Sequence, residues 1–519
     1  MFTPFQSEYP YANFAEDRPK RKMEEALAAL SSQSSRVCPL VIGGRRIETV
    51  ERKEIRNPAR FSQALGSVCQ APVEMVDAAV KAASDAFPAW SRLAAAERAR
   101  YFTAAAAILR RRIYEFSAAM VLEASKSWLE AYADTAEAID FLEFYAREAV
   151  RWQQPGATTP FPGEENEVLQ IPLGVGAVIA PWNFPLAILA GMTVAAAVTG
   201  NTVIMKPAEQ TSIIASRFME LLELAGLPPG VVNYLPGPGE VVGAALVEHP
   251  GIRFVSFTGS RDVGVQIHAK AAIVQPGQKW LKRTVLEMGG KDAIVVDEGV
   301  NLDAVAAEVV ASAFGFQGQK CSACSRLIAH TAVYDELLPK VVERTRKLVV
   351  GDPSQHGVNL GAVIDRDAYI KILNYVSIGQ QEGRILMGGA DRELADQTGW
   401  FVHPAIFADV QPDARIAREE IFGPVLSCIR AESWDHAIEI ANATDYGLTG
   451  AAFSYNRGHL EQARRDFHVG NLYLNRKCTG ALVDVQPFGG FNMSGTNSKA
   501  GGRDYLGHFL QAKSISERW

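Results

Sequence analysis

The pattern of hydrophobic and polar positions divides the chain into stretches of different character. From Val73 to Arg151 apolar residues recur at helical spacing, as in residues 76–83, with little strand-like alternation. After a break at 153–165, which holds three prolines and two glycines, short apolar runs alternate with helical segments. Such alternation predicts parallel sheets that bind ligands at the carboxyl ends of their strands.

The strand and helix signals form two successive series. In the first, apolar runs predict buried strands at residues 174–180, 202–207, 231–235 and 254–258. Helices are predicted after Pro185 and from Thr211 to Leu224. The second series begins at residues 292–296 and extends to about Leu474. Two series of this kind predict two separate sheets.

The two ends of the chain fall outside this pattern. Residues 1–55 are predicted to form an arm with one helix, and the tail closes with a predicted strand from Phe509 to Ile515. We therefore predict an α/β fold with two Rossmann-like open-sheet domains. The predicted boundaries are 1–152 with 173–289 for the first domain and 290–486 for the second, and the segments 153–172 and 487–519 lie outside both sheets.

Composition narrows the class of protein. At 519 residues the chain is too long for one core, and its 48% hydrophobic and 21% charged residues are typical of globular domains. A net charge of −6 lacks the excess of positive charge that proteins use to bind nucleic acid or an anionic membrane. The longest apolar run, Leu186 to Val198, is too short to span a bilayer. Six scattered cysteines and an N-terminus without an apolar core favour a cytoplasmic protein.

Cys321 is the first candidate for chemistry. A buried cysteine is most often an inert small hydrophobe, but Cys321 sits in a polar segment between Lys320 and Ser322, after an apolar run that predicts a helix end. A nearby cation or helix N-terminus would lower its pKa and favour the thiolate. Cys324 completes a C-x-x-C spacing, but the other cysteines are isolated, which argues against zinc and leaves Cys324 as packing.

Two further residues supply complementary chemistry. Glu287, which precedes Cys321 by 34 residues, follows an apolar strand and precedes two glycines. A carboxylate against an apolar wall has a raised pKa and can act as a general base toward water, which release of a thioester requires. Asn183, between two prolines, either caps the helix that follows or donates its amide to an oxyanion.

Evidence for a dinucleotide site is weaker, because no G-x-G-x-x-G motif is present. Gly259 and Ser260 follow a predicted strand and open a predicted helix, where backbone amides can meet a pyrophosphate. Lys206 and Glu209 lie beyond another strand end, where they hold a ribose or form a simple surface ion pair. A carboxylate there repels a 2′-phosphate, which favours NAD over NADP.

Together these motifs resemble the aldehyde dehydrogenase superfamily, from about Asn57 to Ser514. The resemblance rests on residues 181–185, 206–209, 257–260, 287–290, 318–321 and 420–424. Within the superfamily the chain is most similar to the single-function L-glutamate γ-semialdehyde (1-pyrroline-5-carboxylate) dehydrogenases. The specific stretches are 316–326 and 487–496.

The resemblance implies NAD-dependent oxidation of that semialdehyde to L-glutamate, in proline and arginine catabolism. It implies that Cys321 attacks the aldehyde, that Asn183 and the Cys321 backbone N–H receive the oxyanion, and that Glu287 activates water. The first domain would bind NAD and the second would carry the nucleophile. The implied NAD-binding residues are Trp182, Lys206, Glu209, Gly259, Ser260, Glu420 and Phe422. The implied substrate-binding residues are Lys320, Ser322, Gly480, Ala481, Phe184, Phe488 and Glu137.

Several alternatives stay open at this stage. Glu130 competes with Glu137 for the substrate ammonium, and Asp484 is an awkward neighbour for a carboxylate unless it points outward. The substrate could instead be another acidic semialdehyde, such as that of succinate or glutarate. A coenzyme A-acylating enzyme and a catalytically inactive binding protein are the remaining alternatives. No metal or nucleic acid is expected. The resemblance implies that residues 153–172 and 487–519 form a small bridging and oligomerisation β element, and therefore a homodimer or a higher homo-oligomer.

Overall fold

The computed structural model describes residues 3–32, 36–154, 156, 158–389 and 398–519. Its strands in chain order are β1 Val37–Cys38, β2 Leu40–Ile42, β3 Arg45–Ile47, β4 Arg52–Asn57, β5 Arg60–Cys69, β6 Glu164–Pro172, β7 Val175–Ile179, β8 Thr202–Lys206, β9 Val232–Tyr234, β10 Phe254–Thr258, β11 Arg283–Glu287, β12 Asp292–Val296, β13 Cys324–His330, β14 Arg384–Met387, β15 Ala405–Ala408, β16 Val425–Ala431, β17 Tyr446–Gly447, β18 Thr449–Phe453, β19 Asn471–Leu474, β20 Phe491–Asn492 and β21 Leu510–Arg518.

The α-helices follow the same chain order. They are α1 Asp17–Ser31, α2 Glu74–Arg92, α3 Ala95–Arg111, α4 Ile113–Ala124, α5 Trp128–Trp152, α6 Ala187–Val198, α7 Ser212–Leu224, α8 Ala244–Glu248, α9 Arg261–Ala271, α10 Leu302–Phe314, α11 Thr331–Arg346, α12 Arg366–Glu382, α13 Arg415–Arg418, α14 Trp434–Asn442 and α15 Arg457–Asp466. Short 3₁₀ turns lie at Glu209–Thr211, Gly315–Gly318 and Tyr505–Phe509, and a π-helical turn at Gly239–Gly243.

The first seven-stranded sheet has the order β11-β10-β7-β8-β9-β2-β3. The first five strands are parallel, whereas β2 pairs antiparallel with β9 and β3. The register sets Ile179 opposite Lys206, and Thr258 opposite Glu287. Because parallel strands end at the same edge, the residues that follow β7, β8, β10 and β11 share one rim of the sheet.

The predicted arm at 1–55 is only partly correct. Its helix is present as α1, but residues 40–47 form β2 and β3 at the edge of the first sheet. Two strands of three residues each carry too little periodicity to be recognised without the partner β9. The arm proper therefore ends before Val37.

The second seven-stranded sheet has the order β14-β15-β16-β13-β12-β18-β19. All of its pairings are parallel except β14 with β15. Helices cover both sheets, and the apolar run at Leu186–Val198 is the buried α6, whose residues are all buried except Ile188. The predicted α/β class with two open, mostly parallel sheets is confirmed.

A two-stranded ribbon accounts for the remaining predicted element. β6 and β21 pair antiparallel over their full length, from Pro172 opposite Leu510 to Glu164 opposite Arg518. The predicted tail strand is therefore present, while residues 155 and 157 of the bridging segment lie outside the described residues. The exact domain boundaries and the bridging role stay predictions. In the described part of the chain, no helix has the length and apolar character needed to cross a membrane.

Candidate active site

The loop that presents Cys321 is held in a strained conformation. Between α10 and Cys321 the chain makes a 3₁₀ turn in which Phe316 and Gln317 have φ of 50° and 56°, followed by Gly318 at 67°. Non-glycine residues in the left-handed region cost about 1–3 kcal/mol each and need support from their surroundings. Gln317 provides it, because its Nε2 donates to Ser125 O (3.1 Å) and Ala362 O (2.7 Å).

The protonation state of Cys321 differs from the expectation. Burial raises the pKa of the thiol well above its usual range, and the charges of Asp292, Glu287 and Glu420 raise it further. The expected lowering by a neighbouring cation or helix N-terminus is therefore wrong for this state of the protein. The carboxyl groups come from distant parts of the chain, so the residues flanking Cys321 did not reveal them. The thiol consequently needs a base before it can attack a carbonyl.

The second cysteine of the C-x-x-C spacing has a different environment. Cys324 is buried at the start of β13, where its Sγ donates to Arg326 O at 3.4 Å. All six cysteines, each within the described residues, are free. No cluster of three or more potential metal ligands occurs among the described residues. These contacts agree with a packing role for Cys324.

Asn183 lies beside the nucleophile loop. It is buried in the turn between β7 and α6, and its Nδ2 donates to Gln319 O at 3.1 Å, two residues before Cys321. It does not cap α6. The N-cap position of that helix is Leu186, which has no capping side chain, and Ala187 N donates instead to Asp134 Oδ1 (2.7 Å). Of the two interpretations of Asn183, helix capping is thus eliminated. One N–H of its amide is used by Gln319 O, and the second N–H is the donor that an oxyanion could use.

Glu287 ends β11 and is buried at the rim of the first sheet. Ser498 Oγ donates to its Oε1 at 2.8 Å, whereas Oε2 has no hydrogen-bond partner among the described residues. Burial raises the pKa of Glu287 to about 8, although Ser498 and Lys499 oppose the rise. This is the environment expected of a carboxyl group that works as a base near neutral pH.

The two glycines after Met288 bring the groups from both sheets together. A methyl group added at Gly290 would lie 2.5 Å from Cys321 O, and one added at Gly289 would overlap the Glu420 carboxylate. Gly290 N also donates to Glu420 Oε1 at 3.0 Å. The segment after β11 therefore passes between Cys321 and Glu420. At Gly290 a side chain would collide with backbone, and at Gly289 it would displace the Glu420 carboxylate.

The carboxyl end of β8 carries the candidate ribose-binding pair. Glu209 accepts from Lys53 Nζ (3.0 Å) and Gly239 N (3.2 Å), while Lys206 Nζ donates to Pro207 O (3.1 Å). Burial lowers the pKa of Lys206 to about 8, although Glu209 counteracts it. The ion pair of Glu209 is thus with Lys53 from β4, not with Lys206, and the buried ammonium stays available for a ligand.

The other candidate cofactor residues line the same rim. Ser260 caps α9 by accepting from Val263 N (3.4 Å), and Gly259 N donates to Glu287 O (3.1 Å). Trp182 and Phe422 meet edge to face, with ring centroids 5.4 Å apart. Glu420 is held by Gly290. Lys206 ends β8, and the other six candidates lie on the segments that follow β7, β8, β10 and α13. A cation, carboxylates and a helix N-terminus form a donor and acceptor set that fits a dinucleotide.

Among the candidate substrate residues, Lys320 forms an ion pair and Phe184 belongs to an aromatic wall. Lys320 Nζ lies 2.6 Å from Glu130 Oε1. Phe184 and Phe316 meet edge to face at 6.5 Å, and the buried Lys126 ammonium lies 4.0 Å and 4.3 Å from their ring centroids. An aromatic wall next to a fixed charge pair suits a ligand with an apolar chain and a charged end.

Ser322, Gly480 and Ala481 belong to adjacent segments. Cys478 Sγ donates to Ser322 O at 3.5 Å, so the loop that carries Gly480 and Ala481 runs beside Ser322. Phe488 lies in the next loop, paired through its backbone with Ala500. Asp484 forms an ion pair with Arg503 (3.1 Å), which compensates its negative charge.

Glu137 and Glu130 differ in their charge state. Burial raises the pKa of Glu137 to about 8, and Asp134 and Asp140 add to the rise. Burial also tends to raise the pKa of Glu130. The positive charges of Lys320 and Lys126 lower it by more, so the pKa of Glu130 lies below its usual range. Near neutral pH, Glu130 is therefore ionised and already paired, whereas Glu137 is protonated in the unliganded protein.

Three supporting residues were not predicted from sequence. Lys126, Gln317 and Ser498 each contact a candidate catalytic or substrate residue, or the loop that carries one. Their partners lie far away along the chain, so no local motif marks them. Gln317 alone had a signal, since it lies within the stretch that resembled the family.

Comparison with known proteins agrees with this geometry. The model of the aldehyde dehydrogenase family matches residues 46–515. Over the full length of both chains, the sequence is 55% identical to the 1-pyrroline-5-carboxylate dehydrogenase of Geobacillus thermodenitrificans and 54% to that of Geobacillus sp. (strain WCH70). The crystal structure of 1-pyrroline-5-carboxylate dehydrogenase from Thermus with bound NAD is 50% identical, matches with a TM-score of 0.98 and covers both chains completely. The chain therefore belongs to the aldehyde dehydrogenase family.

Proposed function

We propose that this protein oxidises L-glutamate γ-semialdehyde, the open form of 1-pyrroline-5-carboxylate, to L-glutamate with NAD and water. The observation that carries the proposal is the convergence of Cys321, Asn183 and Glu287 next to the Lys320–Glu130 ion pair. The names of the full-length relatives and the NAD-bound Thermus neighbour support the same substrate and cofactor.

The first step is attack of the Cys321 sulfur on the aldehyde carbon. Because burial keeps the thiol protonated, a base must take its proton, and Glu287 is one of the carboxyl groups whose charge reaches it. The aldehyde oxygen becomes an oxyanion that the Asn183 amide and the Cys321 backbone N–H stabilise. Loss of one such donor typically costs about 3–4 kcal/mol of barrier.

The second step converts the adduct to a thioester, and the third hydrolyses it. When bound, NAD supplies the hydride acceptor for this oxidation. Glu287 first releases the proton taken from the thiol to solvent. It then takes a proton from water, and the hydroxide adds to the thioester and expels the Cys321 sulfur. The unpaired Oε2 of Glu287 is the atom free to receive that proton.

The cofactor residues would divide the dinucleotide between them. Lys206, Glu209 and Glu420 would hold the two riboses, with Ser260 and Gly259 at the pyrophosphate and Trp182 and Phe422 beside the nicotinamide half. Glu209 presents a carboxylate where NADP carries a phosphate, so we expect a preference for NAD. The pairing of Glu209 with Lys53 weakens but does not remove this discrimination.

The substrate would lie between two polar ends and an apolar wall. Lys320, Ser322, Gly480 and Ala481 would bind the α-carboxylate, while Phe184 and Phe488 flank the aliphatic chain. Glu137 would accept from the ammonium, whose charge favours the ionised form of this carboxyl group. If Glu137→Gln leaves the preference for the amino-bearing aldehyde unchanged while Glu130→Gln removes it, Glu130 holds that role.

The test of the proposal is a comparison of initial rates of NADH formation. L-Glutamate γ-semialdehyde, succinate semialdehyde and butanal are compared as substrates, with Cys321→Ala as the control. We expect the highest kcat/KM for the first and no turnover in the variant. A higher kcat/KM for succinate semialdehyde would overturn the substrate, and turnover by Cys321→Ala would overturn the mechanism.

We also propose that the protein is a cytoplasmic homo-oligomer. The β6–β21 ribbon supports this, because two strands alone are marginally stable and gain from packing on a second copy. Six free cysteines suit a reducing compartment. Light scattering at several concentrations tests the assembly, and a monomer at micromolar concentration would contradict it.

A further inference from the structure

A cleft of about 630 Å³ opens next to the candidate substrate residues. Lys320 and Glu130 lie on its wall, together with Thr479, one residue before Gly480. The cleft is therefore continuous with the candidate site for the substrate carboxylate.

The charges on the cleft wall are unequal in sign. Its lining residues include four cations, Lys320, Arg344, Lys347 and Lys477, but only one carboxylate, Glu130. An excess of positive charge in a cleft attracts anions. A cation of this cleft can bind an anion most readily if no carboxylate of the protein already pairs with it.

Three of the four cations already have carboxylate partners. Lys320 pairs with Glu130 (2.6 Å), Lys347 with Glu343 (2.9 Å) and Arg344 with Asp303 (3.9 Å). The half-buried Lys477 differs, because its Nζ has no hydrogen-bond or ion-pair partner among the described residues. Its backbone is nevertheless anchored, since Lys477 N donates to Glu308 Oε2 at 2.9 Å.

Lys477 also lies close to the backbone of the substrate loop. A methyl group added at Gly480 would be 3.3 Å from Lys477 Cε and 3.7 Å from its Nζ. The ammonium therefore lies beside Gly480. Its charge also reaches Glu130, the partner of Lys320.

We propose that Lys477 is a specificity-determining residue that supplies a second cation, besides Lys320, for a carboxylate of the substrate. Glu130 already neutralises Lys320, so one cation there leaves little net attraction for an anion. Lys477 restores a net positive charge where Gly480 presents its backbone. Lys477 would strengthen the binding of short aldehydes that carry a carboxylate and would leave the binding of uncharged aldehydes unchanged. This inference rests on the proposed function only for the identity of the aldehyde.

The experiment compares Lys477→Gln with Lys347→Gln, which removes a cation from the same cleft that is already paired. Initial rates are measured with L-glutamate γ-semialdehyde and with butanal. For Lys477→Gln we expect KM for the semialdehyde to rise about tenfold, as for loss of a charged hydrogen bond, with kcat and the butanal parameters unchanged. Lys347→Gln should behave like the wild type, and Lys477→Arg should recover most of the affinity.

Glutarate provides a probe that does not depend on the natural substrate. Its inhibition constant is measured against butanal turnover in the same variants, so failure of the proposed substrate leaves this arm intact. An inhibition constant about tenfold higher in Lys477→Gln alone supports the site. Equal constants in all variants, or a butanal KM that rises with the semialdehyde KM, would overturn it.

Discussion

Ser498 Oγ donates a 2.8 Å hydrogen bond to Glu287 Oε1 across 211 positions of the chain. The bond favours the ionised carboxylate, whereas burial favours the protonated form and raises the pKa of Glu287 to about 8. The balance keeps most of the population protonated at neutral pH, as for Glu137. Because two opposing effects set the pKa of Glu287, removal of either one should shift that pKa measurably.

The first prediction concerns the pH dependence of hydrolysis. A general base acts only when deprotonated, so the rate of thioester hydrolysis should rise with pH and level off above about 8. Ser498→Ala removes a donor that stabilises the carboxylate, so the rising limb should move to higher pH by about one unit. Ser377→Ala, at an exposed position of α12, serves as the control. An unshifted limb in Ser498→Ala would show that another group controls the titration.

The second prediction separates oxidation from hydrolysis. Glu287→Gln retains the shape of the side chain but cannot take a proton from water. We expect a burst of about one NADH per Cys321, followed by turnover slower by about 10²–10⁴-fold. Rapid mixing with absorbance detection measures both phases. Restoration of the steady rate by coenzyme A would instead identify an acylating enzyme, and loss of the burst would show that Glu287 also activates the thiol.

The sequence was sufficient for the elements that end in functional residues. Apolar runs located β8, which ends at Lys206, and β10, which precedes Gly259, because buried parallel strands produce continuous apolar segments. The strands β2 and β3 were missed because each has only three residues. β2 depends on pairing with β9 and β3, and β3 depends on pairing with β2. Short edge strands are specified by distant partners rather than by local pattern.

The candidate site shows the same division. The identities of Cys321, Glu287 and Asn183 could be read from local motifs, but their electrostatics could not. Asp292 and Glu420, which help to raise the pKa of Cys321, come from two other segments. Likewise, Glu130 meets Lys320 across 190 positions. Burial and charge at a site depend on tertiary packing, which a single sequence does not display.

The third prediction concerns the backbone before the nucleophile. Gly318 has φ of 67°, and a methyl group there would overlap Gly423 O. Gly318→Ala should therefore displace the loop that carries Cys321, lower activity at least about 100-fold and cost about 1–3 kcal/mol of stability. Gly299→Ala is the matched control, since Gly299 also has positive φ (74°) but no atom within 4 Å of the added methyl. Equal effects in both variants would assign the loss to backbone strain alone.

The fourth prediction concerns the ion pair beneath the aromatic wall. Lys126 Nζ lies 2.9 Å from Asp134 Oδ2, and both side chains are fully buried. Lys126→Met leaves the Asp134 charge uncompensated, so the free energy of unfolding should fall by about 3–5 kcal/mol. The double variant Lys126→Met/Asp134→Asn removes the charge and retains an oxygen for Ala187 N, so it should recover part of the loss.

An exposed pair provides the comparison for this experiment. Lys81 Nζ lies 2.7 Å from Asp85 Oδ2 on the solvent face of α2, where Lys81→Met should cost no more than about 1 kcal/mol. Denaturant unfolding of all three variants measures the differences. If Lys126→Met costs no more than Lys81→Met, the buried pair does not stabilise the fold. If it costs more and the double variant recovers nothing, the contact of Lys126 with Phe184 and Phe316 carries the stabilisation instead, because that contact is absent from both variants.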